Sequence, residues 1–305
     1  MPPNSRKPDW LRQRWNPDRQ EFEGIKSKLR EKGLVTVCEE ASCPNIDECW
    51  SDEGTATFMI LGDTCTRSCG FCDVKTGEGD SLDPTEPQRV AEAVEEIGLD
   101  YAVITSVDRD DLPDSGASQF AETVRRVRQT GALVETLIPD FGGSTDDLRK
   151  VIDEKPTVLA HNVETVERLQ EKVRDPRAGY GQSLDVLRKA KEIDETREIF
   201  TKSSLMLGVG ETDDEVLGTM DDLLDAGVDI LTLGQYLSPS DDHIEIEEYV
   251  PPERFDYYAE VAEEKGFRFV ASGPFVRSSY RAGELFVSNT VNGDSDADTQ
   301  PRSIS

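Results

Sequence analysis

The sequence predicts an α/β fold, a partial, TIM-like (β/α)6 barrel with N-terminal and C-terminal extensions. Apolar, β-branched runs recur at residues 57–62, 101–107, 133–138, 157–160, 200–207 and 229–234. Continuous apolar runs of that length suit strands buried on both faces. Helix-length stretches fall between them, near 84–98, 117–130, 144–154, 164–193, 212–226 and 252–265. Such alternation builds a parallel sheet covered by helices. Polar segments follow the strands at residues 108–113, His161-Asn162, residues 208–211 and Gln235-Tyr236, where a (β/α) barrel holds its site.

Taken in order, residues 1–55 read as the N-terminal extension. Pro8-Asp9-Trp10-Leu11-Arg12 precedes a charged helical pattern over residues 18–32 that Gly33 ends. The barrel is expected over residues 56–275. Asp83-Pro84, Ser144 and Thr212 are candidate helix starts, and Gly98, Gly131, Gly227 and Gly266 stand at candidate helix ends. Residues 266–274 can add one more strand. Residues 276–305 form the C-terminal extension; beyond Asn289 it is rich in Asp, Ser and Thr, lacks aromatics, and reads as disordered.

The chain has 34 Lys and Arg against 63 Asp and Glu, a net charge of −29. That balance argues against nucleic acid, whose phosphates need a basic surface. It fits a heavily solvated surface adapted to a salty cytoplasm, where screening suppresses self-repulsion. No run approaches the ~18 apolar residues of a membrane helix, and the first residues lack an apolar signal core. The expectation is a cytoplasmic protein with no membrane partner.

All six cysteines lie between Cys38 and Cys72. In a reducing compartment such clustering reads as metal ligation, not disulfides. Cys65, Cys69 and Cys72 form C-x3-C-x2-C just after the first strand. Three thiolates can hold three irons of a [4Fe–4S] cluster and leave the fourth iron open for chemistry. Structural zinc prefers four ligands, commonly in two C-x2-C pairs, and only one such pair is present. Cys38, Cys43 and Cys49 form a second set, C-x4-C-x5-C, and three unligated thiols there would be an oxidation liability.

With Phe71 directly before Cys72, the C-x3-C-x-aromatic-C pattern resembles the radical S-adenosylmethionine superfamily. The resemblance implies that S-adenosylmethionine chelates the open iron and is cleaved reductively to methionine and a 5′-deoxyadenosyl radical. A C-x4-C-x5-C set ahead of that motif, together with Arg277-Ser278-Ser279-Tyr280, is similar to the lipoyl synthase family. Residues 105–113, 161–165, 202–208, 234–237 and 271–274 extend the similarity, which covers residues 8–285.

This resemblance implies a second, auxiliary [4Fe–4S] cluster on Cys38, Cys43 and Cys49, with Ser279 as its fourth ligand and Ser278 as the fallback. The reaction implied is sulfur insertion at C6 and C8 of an octanoyl chain on a protein lysine, with the auxiliary cluster as sulfur donor. The implied acceptors are glycine-cleavage H protein or acyltransferase E2 lipoyl domains. An electron donor (ferredoxin or flavodoxin) and an iron–sulfur repair or carrier protein complete the set. Cys65, Cys69, Cys72 and Ser279 are then the catalytic residues, with Phe71 and Asn162 on the cofactor side.

A biotin-synthase-like sulfur inserter is the competing enzyme reading, opposed by the second triad's position before the radical motif and by residues 277–280. A two-cluster electron carrier would use four thiolates per cluster and need no barrel. His161 and His243, the two histidines, read as hydrogen-bonded loop or core side chains. Glu135, Lys202 and Glu211 stand at or near strand ends, where each either holds a charged group of the cofactor or pairs within the protein.

Overall fold

A computed structural model describes residues 7–11, 29, 32–36 and 56–279. Among these, eight strands form one sheet in sequence order. The strands are β1 (Val35–Thr36), β2 (Ala56–Ile60), β3 (Tyr101–Ser106), β4 (Leu133–Leu137), β5 (Val158–Ala160), β6 (Phe200–Leu207), β7 (Ile230–Gln235) and β8 (Phe269–Gly273). β1 runs antiparallel to β2, and every later strand is parallel to the one before it. The crossovers carry α1 (Glu86–Ile97), α2 (Ala117–Gln129), α3 (Thr145–Asp153), α4 (Gln170–Val173), α5 (Tyr180–Ile193), α6 (Asp213–Asp225) and α7 (Pro252–Lys265). Parallel strands in chain order, each joined by a helical crossover, make a wound (β/α) barrel. Six such units plus β8 form a partial barrel, and β8 is the added strand expected over residues 266–274.

Local chemistry explains several helix boundaries. Thr212 caps α6 in a reciprocal box with Glu215, and Ser144 Oγ accepts the Asp147 N–H at the start of α3. Gly98 and Gly266 end α1 and α7 in the left-handed region, which glycine enters without a Cβ penalty. Two expectations need correction. Asp83-Pro84 does not begin α1; Asp83 instead accepts from the Thr85 N–H and hydroxyl, and the helix starts after Thr85. The stretch 164–193 is not one helix. It divides into α4 and α5, because Pro176 and Gly179 interrupt it and Glu164 adopts φ 64°. The antiparallel β1 was not foreseen, being only two residues long. Of the expected helix over 18–32 only Leu29, which is helical and buried, and Lys32 are among the described residues; Cys38, Cys43, Cys49 and the tail beyond Asn289 lie outside them.

The barrel interior is layered. Leu133, Val158, Phe200, Ile230 and Phe269 pack together as an apolar plug. Two residues further along β4 and β6, and so on the same face, Glu135 and Lys202 pair at 2.7 and 2.9 Å. The Tyr101 hydroxyl donates to Glu135 at 2.7 Å. The next rung, including Thr105, Leu137, Ser204 and Gly234, opens onto a cavity. The plug and ion pair seal one end of the barrel and leave the strand C-termini free.

Candidate active site

A cavity of about 580 Å³ lies at the strand C-termini, lined by the cysteine loop, the barrel's upper rung and residues 276–279. Cys65, Cys69 and Cys72 all reach it. The loop is held by backbone bonds from several elements. Cys65 N–H donates to Lys75 O at 2.8 Å, and Gly77 N–H to Cys65 O at 2.9 Å. Thr66 N–H reaches Asp108 O, Gly70 N–H reaches Val173 O, and Ile244 N–H donates back to Gly70 O. A Cβ at Gly70 would lie 2.8 Å from Ile244 Cγ2, so a side chain before Phe71 would push the Ile244 side chain aside.

Charge anchors the loop more firmly still. The buried Arg67 guanidinium makes two 2.7 Å bonds to Asp140 and grips Asp110 at 2.7 and 3.0 Å. Such paired bonds are the strong, geometrically fixed kind. Burial opposes ionisation of Asp140, but Arg67 outweighs it and holds that carboxyl down at about 2. Asp108, 3.4 Å from Arg67, is pushed up by burial to about 6 against the pull of that arginine. On the other side Asp175 accepts the Ser68 N–H at 2.9 Å, while its own N–H donates to Cys69 Sγ at 3.3 Å. The Arg67 N–H likewise donates to Cys65 Sγ at 3.4 Å.

The segment after β5 adds His161, Asn162, Glu164 and Arg174 to the cavity's polar lining. Asn162 Nδ2 donates to Glu164 at 3.1 Å, whereas the buried Asn162 Oδ1 has no partner. Ser106 Oγ, also at the cavity, is similarly unpartnered. Burial raises the Glu164 carboxyl above its ordinary range, partly offset by Arg174. His161 borders the cavity, but both its ring nitrogens are engaged within the protein, with Ile138 O at 2.9 Å and Ser183 Oγ at 3.0 Å, and burial lowers it to about 4. His243 bonds the Cys72 carbonyl at 3.2 Å and Ser240 at 2.8 Å.

The C-terminal segment closes one wall. A Cβ on Gly234 would lie 2.1 Å from Val276 O. Only glycine at the end of β7 therefore lets the chain cross there and deliver Ser278 and Ser279 to the cavity. Among the described residues no three His, Cys, Asp or Glu side chains converge on a single ion; a cube needs no such convergence, since each iron takes its own thiolate.

Residues 59–223 match the family model of the Radical SAM superfamily. The chain is 60% identical over 293 residues to the lipoyl synthase of Natronomonas pharaonis, covering 94% of each chain. It is 57% identical to that of Halobacterium salinarum over 92% of this chain and 91% of the relative. A chloroplastic lipoyl synthase of Chlamydomonas reinhardtii is 56% identical over 96% of this chain and 68% of its own length. The chain belongs to the lipoyl synthase family.

Solved structures agree on the fold. Methylornithine synthase superposes with a TM-score of 0.55 at 13% identity, over 81% of this chain and 70% of that one. A maturase of the [FeFe]-hydrogenase gives 0.54 at 13% identity, over 81% and 64%.

A radical SAM enzyme of the lipoyl synthase family carries a [4Fe–4S] cluster and S-adenosylmethionine, and the residues fit both. Three thiols face one cavity, two of them receiving backbone N–H bonds that favour thiolate. Burial pushes the Cys69 thiol up to about 12 and the Cys72 thiol to about 11. The two unpartnered oxygens offer hydrogen-bonding positions to a polar cofactor.

Of the residues expected from sequence, Cys65, Cys69, Phe71, Cys72, Asn162 and Ser279 all line this cavity; Cys38, Cys43 and Cys49 lie outside the described residues. Glu135 and Lys202 pair with each other, and Glu211 accepts the Gly208 and Val209 N–H groups at 2.5 and 3.0 Å. Those three serve the protein's own structure. Sequence reasoning did not single out Arg67, Asp140, Glu164, Arg174 or Asp175. Arg67 sits inside C-x3-C and Asp175 before a helix-breaking proline, but their partners are far away in sequence.

Proposed function

We propose that the chain inserts sulfur at C6 and C8 of an octanoyl chain carried on a lysine of an acceptor protein, using an auxiliary cluster as the sulfur source. One observation carries this beyond the family name: a single cavity is bordered by Cys65, Cys69 and Cys72 on one wall and by Ser278 and Ser279 on another. When bound, the first cluster and S-adenosylmethionine supply a radical able to take hydrogen from unactivated carbon, which no side-chain base can deprotonate.

The chain's own residues do the rest. Cys65, Cys69 and Cys72 hold three irons, oriented through Arg67 and Asp175. Asn162 presents its unpaired oxygen to a donor group of the cofactor, and Phe71 packs beside it. Met59, Val107, Leu137, Ile138 and Met206 give the alkyl chain an apolar wall and keep water away. Ser279 joins Cys38, Cys43 and Cys49 as ligands of the second cluster. As an oxygen ligand, Ser279 would be harder than a thiolate and would hold iron less firmly, which suits a cluster that serves as a sulfur source.

On this reading residues 1–55 and 276–305 are extensions serving the auxiliary cluster, and residues 56–275 are the barrel. The partners are octanoylated H protein or E2 lipoyl domains, a ferredoxin or flavodoxin, and an iron–sulfur carrier. The working compartment is a salt-rich cytoplasm.

The test is anaerobic reconstitution, reduction, and incubation with an octanoylated acceptor, read by mass spectrometry. Two added sulfurs and two equivalents of 5′-deoxyadenosine are expected. Cofactor cleavage with no sulfur in the acceptor would overturn the proposal. Ser279→Ala should keep part of the cofactor cleavage and lose sulfur transfer; normal lipoyl product from it would show that the serine assignment is wrong.

A further inference from the structure

We infer that Arg109 is a positioning residue that closes the base of the cysteine loop and sets it ready for its cluster, an inference that rests on the cluster reading of Cys65, Cys69 and Cys72. Arg109 does not line the cavity. It lies beneath the loop, 2% exposed, where the two ends of the loop come together.

The outgoing chain leaves β2 through Leu61, and Arg109 Nη1 donates to Leu61 O at 3.0 Å. The returning chain passes Asp80, and Nη2 donates to Asp80 O at 2.9 Å. Asp111 fixes the guanidinium itself through two 2.8 Å bonds to Nε and Nη2. One planar group therefore ties both ends of the loop to the segment after β3.

Leu61 shows that this junction is constrained. It is a leucine at φ 70°, a region that side chains with a Cβ rarely occupy. Its N–H donates to the buried Glu86 at 3.0 Å, and its C=O is the group Arg109 holds. Its side chain fills the space beside Gly116, where a Cβ would lie 2.4 Å from Leu61 Cδ1. An off-region backbone persists only where its surroundings determine it completely, and here both peptide groups and the side chain are held. On the returning side, a Cβ at Gly79 would lie 2.4 Å from Arg109 Nε, so the chain accommodates the guanidinium by giving up a side chain.

Closure before loading removes from cluster assembly the entropy of bringing loop ends together. A lysine supplies charge but not the rigid fork that reaches two carbonyls and a carboxylate at once.

The test is site-resolved hydrogen exchange on the full chain before cluster loading, for Arg109→Gln, Arg109→Lys and Gly79→Ala. The Cys65 and Gly77 amides, bonded to Lys75 O and Cys65 O, report closure. In Arg109→Gln both are expected to exchange about tenfold faster, the size of losing one charge-assisted bond, with α6 amides unchanged. Gly79→Ala should reproduce this from the opposite side, and Arg109→Lys should recover part of it. After reconstitution, Arg109→Gln should show less of the reduced-cluster resonance that responds to S-adenosylmethionine. Unchanged loop exchange, or equal acceleration in α6, would overturn the inference. Failure of the wild type to take up a cluster on these cysteines would instead refute the cluster reading itself.

Discussion

Lys202 and Glu135 are almost fully buried, 1% each, and each is the other's charged partner. Removing one of them strands an ion in a low-dielectric interior, at a cost of ~3–5 kcal/mol, whereas apolar replacement of both is often tolerated. Lys202→Met and Glu135→Gln should each lower denaturant stability strongly, with the Lys202→Met/Glu135→Leu double variant closer to wild type; additive losses in the double variant would contradict this. His161 makes a pH-dependent contribution. Its folded value, lowered from 6.5 to about 4 by burial, means that the unfolded chain binds the proton more readily. Stability is therefore complete above pH 6.5 and is lost as pH falls toward 4, by roughly 3 kcal/mol in total. Urea unfolding of wild type and His161→Gln across that window should show the gap between them narrowing as pH falls, and parallel profiles would exclude the effect. At this scale the thiols were legible because three cysteines in tight spacing have few other uses. Arg67 with Asp140, 73 positions apart, and Ser68 with Asp175, 107 apart, were not legible, because nothing local records which distant loop folds back.

Among the elements, strands and helices were readable because apolar runs, caps and terminal glycines agreed with one another. The long helix expected over 164–193 failed where the chain bends to bring Glu164 to the cavity and Asp175 to the cysteine loop. The helical pattern there was real, but the break at Pro176 outweighed it. Thr212→Ala should cost about 1 kcal/mol of thermal stability through loss of the α6 capping box, and should leave cofactor cleavage unchanged. Gly234→Ala acts on the site through an element: its new Cβ meets Val276 O and must displace the segment carrying Ser279. Sulfur transfer should fall far more than cofactor cleavage, and an equal fall in both would place the damage in the barrel instead.

For the whole molecule, a net charge of −29 on a chain of this size is self-repulsive unless screened. Lowering salt from about 1 M to 0.1 M lengthens the screening distance from ~3 to ~10 Å. The thermal midpoint should fall steeply over that range, and full stability in dilute buffer would refute salt adaptation. The same molecule joins three contributions in one cavity: the cysteine loop after β2, the polar loop after β5 and the C-terminal serines beyond β8. The proposed source of the two sulfur atoms is the protein itself. The direct measurement is to reconstitute the chain with ³⁴S-labelled sulfide, remove the excess, and react it with octanoylated acceptor in unlabelled buffer. The product should carry two heavy sulfurs, with at most one product per chain. Unlabelled sulfur in the product, or repeated turnover without a sulfur supply, would rule out the protein as the sulfur source.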